Sequence, residues 1–145
     1  MSKYEEANLI LKLYELRREE TMRAARDWYF REFQPETVAD FGKAIMSEHS
    51  GHLRMVMSYW EMAAAMVNHG AISLDFFTDT NGEHLTVFGI LEPILGELRA
   101  QFGPQMLASL EKVVDATPKG RERTAMLRER MKGVRERLAA AQKPA

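Results

Sequence analysis

Apolar residues recur along this chain at helical spacing almost throughout, and no convincing stretch alternates with the period of two that marks a strand. Ser2 followed by Glu5 has the spacing of a capping box, and no Gly or Pro follows until Gln34-Pro35. The pattern therefore predicts a first helix approaching 30 residues. It carries two apolar stripes, one of Ala7, Ile10, Leu11 and Tyr14, the other of Met22, Ala25, Trp28, Tyr29 and Phe33. The polar run Arg17-Arg18-Glu19-Glu20 separates them, so each half is expected to pack against something different.

Pro35 suits the first turn of a short second helix carrying Val38, Phe41 and Ile45, interrupted at residues 47–51. Residues 52–68 are apolar nearly all round and read as the central, most buried helix. Only Arg54, Glu61 and Asn68, spaced by seven along one line, break that character. Gly70 fits the left-handed residue that ends a helix, Ser73 caps a short turn through Phe77, and Asn81-Gly82 reverses the chain. A helix over 83–102 is expected to kink at Pro93, which removes a backbone donor and crowds the preceding turn. Gly103-Pro104 opens a helix over 104–116, and Thr117-Pro118 leads into a last one over 120–141. The fold class is thus all-α: a single domain over residues 1–145, an irregular bundle of five to seven helices with a long N-terminal helix and a basic C-terminal one.

Composition sharpens the picture at four points. With 145 residues the chain can enclose one core of its own, and its ten Met residues make that core deformable. It holds no cysteine, which excludes disulfides, thiolate zinc sites and a cysteine nucleophile. Neither an export signal nor an apolar run of membrane-spanning length is visible, which points to a cytoplasmic protein without a membrane segment. The net charge of −1 conceals an asymmetry. Residues 119–145 carry nine Lys or Arg against three Glu, whereas the preceding residues carry eleven against eighteen.

The candidate chemistry is sparse. His49 and His52, beside Glu48, have a spacing that could share a metal, but the order differs from that of zinc proteases and further ligands would have to come from His69 or His84. Solvated loop histidines are the expectation, with no metal and no cofactor. Asp79-Thr80-Asn81-Gly82-Glu83 has only part of a calcium loop, since Phe77 and Phe88 stand where essential carboxylates belong. No nucleophile context, phosphate loop or dinucleotide fingerprint supports catalysis. The basic tail could attract nucleic acid by charge, yet it lacks interleaved aromatics and a recognition helix, so nucleic acid is not the expected partner.

Two features point to binding. Leu127, Met131, Val134 and Leu138 follow the 4-3-4 spacing of a coiled-coil seam, so residues 119–145 are expected to act as a docking or dimerisation arm, joining two copies or packing on an acidic body. Arg54, Tyr59, Trp60, Glu61 and Asn68 could form a pocket in an apolar wall, or a polar seam in which Glu61 pairs with an arginine such as Arg26 or Arg99. The leading expectation is a non-catalytic, self-associating interaction or scaffold module; the alternative is a regulatory domain binding a small molecule near Trp60 and Glu61.

The stretches Leu13-Tyr14-Glu15-Leu16-Arg17, Arg23-Ala24-Ala25-Arg26-Asp27-Trp28, Tyr59-Trp60-Glu61-Met62 and Val67-Asn68-His69-Gly70-Ala71-Ile72-Ser73 resemble a family of bacterial helical proteins catalogued as a domain of unknown function. The resemblance spans about two-thirds of the chain. It implies an all-helical fold and supplies no reaction, ligand or partner.

Overall fold

The computed structural model describes residues 2–142; the last three residues of the expected C-terminal arm, 143–145, lie outside them. Among the described residues there are nine α-helices and no strand. The all-α class holds, and the helix count exceeds the expected five to seven because a cap at Glu19 and the break at Pro93 divide two segments read as continuous in sequence.

The first such division falls at Glu19. The N-terminal helix is two helices, α1 (Lys3–Arg18) and α2 (Glu20–Arg31). Glu19 takes extended backbone angles, and its carboxylate accepts from the N–H groups of Thr21 and Met22. The polar run that separates the two apolar stripes thus supplies a cap, stabilising a new helix start in place of continuation. The Ser2–Glu5 capping box is present at the start of α1. The first stripe does not pack as one: Ile10 is buried, joined by Leu13 from outside the stripe, whereas Leu11 and Tyr14 face outwards.

Helix α3 (Val38–Ile45) begins three residues later than Pro35 suggested. Thr37 and Asp40 form a reciprocal capping box there, with Asp40 also accepting from the Glu36 N–H. Helix α4 (Ser50–Asn68) is the hub, burying Leu53, Val56, Tyr59, Trp60, Ala63 and Ala64 against its neighbours. Gly70 closes it at φ +85°, where a side chain would be strained.

The chain continues through α5 (Leu74–Thr80) and α6 (Glu83–Leu91). Pro93 breaks the next helical stretch as expected, into a 3₁₀ turn (Glu92–Ile94) and α7 (Leu95–Phe102). Every residue of α6 from His84 to Leu91 is buried, since it lies beneath α4 on one side and the C-terminal helix on another. Helix α8 (Ala108–Ala116) follows the turn 103–107, and α9 (Gly120–Ala141) ends the described chain.

Helix α9 lies along α6, with further contacts to α8 and α2. Two glycines permit the approach. A Cβ on Gly89 would stand 2.5 Å from the Thr124 carbonyl oxygen, and one on Gly120 would stand 1.9 Å from that of Val114. Polar contacts fix the register: Glu92 accepts from Thr124 Oγ1 at 2.7 Å, Arg121 Nη1 at 2.9 Å and Arg128 Nη1 at 3.2 Å. Burial pushes the Glu92 carboxyl up, but these donors outweigh it and hold it below the usual range. Arg121 also reaches Asp115 and Glu111, and its guanidinium lies over the Phe88 ring.

Candidate functional site

The five polar or aromatic residues singled out on α4 divide between two faces of that helix. Tyr59 and Trp60 point into the core. The Tyr59 hydroxyl donates to the Leu13 carbonyl, tying α1 to α4, and burial pushes its pKa up to about 12. Trp60 is fully enclosed and donates from Nε1 to Glu83 Oε2 at 3.1 Å. Glu83 is held in turn by a two-pronged contact with Arg26, whose Nε and Nη2 lie 2.9 and 2.7 Å from its oxygens. Arg17 stacks over the Trp60 ring and donates to Asn81 Oδ1 at 3.0 Å. This network joins α1, α2, α4 and α6 and encloses Trp60 on the core side of the hub helix.

Arg54, Glu61 and Asn68 lie along a separate line of α4, as their spacing required. Glu61 does not pair with an arginine among the described residues. Its two oxygens accept from the backbone N–H groups of Ser109 and Leu110, at 2.9 and 2.8 Å. The carboxylate of one helix thereby caps another, where both the unsatisfied donors and the helix dipole favour a negative charge. Asn68 Nδ2 donates to the Ser109 carbonyl at 3.0 Å, so the start of α8 is clamped twice by α4. Of the arginines considered for Glu61, Arg26 is taken by Glu83, and Arg99 reaches Glu111 and the Met106 carbonyl, each at 2.9 Å.

These clamps build the wall of a groove. The turn 103–107 reaches α8 through a left-handed Leu107 at φ +55°, a strained geometry for a branched side chain. Glu61 holds the helix start just after that strained residue, and Arg99 holds the carbonyl just before it. The turn then faces α3 and α4 across a groove of about 610 Å³. Phe41, Ile45, Met57, Phe102, Met106 and Leu107 make it mainly apolar, with Arg54, Ser58, Glu61 and Gln105 as its polar members. Phe41 and Phe102 meet edge to face at 5.3 Å, which links α3 to α7 at one side.

Arg54 is the charged group left over. Among the described residues its only hydrogen bond is from Nε to the Ser50 carbonyl at 3.4 Å, and it belongs to none of the ion pairs. It is exposed at the groove, with its charge uncompensated by a carboxylate of the described residues.

The remaining sequence candidates sit elsewhere. Leu127, Met131, Val134 and Leu138 are each partly covered: Leu127 packs on the core, Met131 lines a cleft with Phe30 and Thr86, and Leu138 lines one with Arg31 and Glu32. His49 stacks on Trp28 at 5.1 Å between ring centres, and His52 packs at the edge of the same cluster. Among the described residues no group of three or more His, Cys, Asp or Glu side chains could hold a metal ion. None of their helices is long and apolar enough to cross a membrane.

A family model described as a domain of unknown function, DUF4760, matches residues 4–117, so the chain belongs to that family. The match takes in α1 to α8 and stops before α9. No curated protein and no solved structure matches the chain.

Proposed function

We propose that this protein is a non-catalytic binding module, and that the groove between α3, α4 and the 103–107 turn takes an amphiphilic acid: an apolar chain or ring system bearing a carboxylate. One observation carries the reading, an apolar groove of ligand-binding size with an unpaired guanidinium at it. Ligand sites commonly combine apolar walls with a few polar groups, and a volume of about 300–1,000 Å³ is usual for them. The two methionines in the walls, Met57 and Met106, adapt to ligands of different shape.

The charges favour binding over chemistry. Glu61 is engaged by two backbone donors as a helix cap, and an arginine positions anions without exchanging protons. This reading keeps the expectation of a pocket at Glu61 but moves it to the face of α4 away from Trp60.

The test is a titration of protein labelled at the methionine methyl carbons with decanoate, with Met57→Leu and Met106→Leu variants assigning the two signals. Decanoate is expected to shift both saturably, Arg54→Gln to weaken binding about tenfold through the lost charge-assisted hydrogen bond, and a decyl ammonium compound to bind no better than that variant. Unshifted Met57 and Met106 signals at millimolar decanoate, or equal affinity in the Arg54 variant, would overturn the proposal.

A further inference from the structure

Four of the eight large hydrophobic side chains exposed among the described residues lie on one helix, α1: Tyr4, Leu11, Tyr14 and Leu16. Three of them share a stripe. Tyr4, Ala7, Leu11 and Tyr14 follow 3-4-3 spacing, and Arg18 continues it. Tyr4 is 78% exposed, Leu11 58% and Tyr14 47%, although Ile10 and Leu13, one residue away, are buried. The helix therefore has two apolar faces about a quarter-turn apart, and only one of them is used inside the chain.

We infer that the outer face of α1 pairs with the same face of a second copy, the two helices running antiparallel about a two-fold axis near Leu11. Charge selects both the occupant and the direction. The first turn of α1 is acidic, with Glu5 exposed, and its last turn is basic, with Arg17 and Arg18. Among the described residues Arg18 belongs to none of the ion pairs, and it rests over the Tyr14 ring. An antiparallel pair sets Arg18 of each copy against Tyr4 and Glu5 of the other, joining a cation–π contact to an opposite-charge contact at both ends. A parallel pair would set arginines against arginines and Glu5 against Glu5. The two-fold arrangement also fits by size. Leu11 meets its own counterpart on the axis, and the small Ala7 and Asn8 leave room for the Tyr14 ring of the other copy.

The interface is small. Two helices touching over four turns bury roughly 800 Å², below the usual range for stable complexes, so the dimer is expected to form at about 10–100 μM. It involves neither the α9 seam nor the groove.

Sedimentation equilibrium over micromolar to high-micromolar concentrations tests this. The parent is expected to show a monomer–dimer equilibrium. Leu11→Glu and, independently, Tyr4→Ser are expected to raise the dissociation constant at least tenfold, while circular dichroism melts stay at the parent value because both side chains are exposed. Arg18→Glu should raise it severalfold. A parent that is monomeric throughout overturns the inference. So does a dimer indifferent to both Leu11→Glu and Tyr4→Ser, or one abolished by Leu127→Asp with Leu138→Asp on α9 and not by the α1 variants.

Discussion

Above the range where carboxylates titrate, lowering the pH should destabilise the fold chiefly through one side chain, His84. Its ring is fully enclosed, packed 4.8 Å from the Phe77 ring centre and 5.8 Å from that of Trp60, and neither ring nitrogen has a hydrogen-bond partner among the described residues. Burial favours the neutral ring, Arg123 adds positive charge nearby, and together they push the pKa from 6.5 to about 4. Because the folded pKa lies below the unfolded one, the unfolded chain binds the extra proton first as pH falls. Stability associated with His84 is therefore fully present above about pH 6.5 and is lost progressively down to about pH 4. At 1.36 kcal/mol per pKa unit the loss reaches about 3 kcal/mol, a large share of the stability of a small domain. Urea denaturation of the parent and of His84→Leu between pH 4 and 7.5 measures it. The variant should be as stable as the parent or more so at pH 7, since it removes two unsatisfied nitrogens while keeping the volume. Between pH 6.5 and 4.5 the parent should lose about 1 kcal/mol per pH unit more than the variant. Parallel stability curves across that window, or a His84 titration midpoint near 6.5 in the folded protein by NMR, would refute the reasoning.

Two further substitutions probe the packing that supports the groove and the last helix. Glu61→Ala removes the cap from Ser109 and Leu110 and should cost about 1–2 kcal/mol in urea denaturation, with Glu61→Gln losing less. It should also broaden the Met106 methyl signal, because the strained turn loses one of its clamps. Gly89→Ala drives a Cβ against the Thr124 carbonyl and should cost about 1–3 kcal/mol, with hydrogen exchange in α9 accelerated before that in α4.

Much of the helical framework is legible in sequence because its signals are local. The Ser2–Glu5 capping box, the break at Pro93 and the limits of α9 depend on residues within a turn or two of one another. Sequence and structure part where local signals compete. Pro35 is compatible with a helix start, but Thr37 with Asp40 satisfies more backbone donors, and α3 starts there. Glu19 sits in a stretch with good helix propensity, and its role as a cap depends on the two stripes needing different partners. The site divides in the same way. The seven-residue spacing of Arg54, Glu61 and Asn68 places them on one line of α4, which periodicity alone can establish. Trp60 is adjacent to Glu61 in sequence but about 100° away around the helix, so it belongs to the core. That Glu61 meets backbone N–H groups in place of an arginine is a tertiary fact, set by where α8 begins, and no spacing in the chain encodes it.

The family match ends at residue 117, but the folded unit does not end there physically. The matched region contains surfaces shaped to receive α9. Gly89 and Glu92 both lie within the match, yet the first is a notch filled by the Thr124 backbone and the second a carboxylate whose three side-chain donors, Arg121, Thr124 and Arg128, all belong to α9. Without α9, Glu92 would keep its charge but lose those donors, and α6, buried along nearly its whole length, would open an apolar flank to water. The basic charge of residues 119–145 acquires a structural role from the same contacts. Arg121 alone reaches Glu92, Glu111 and Asp115, which gathers acidic groups from the turn after α6 and from α8 onto one guanidinium. Part of the charge asymmetry between body and tail is thus consumed within the chain as packing.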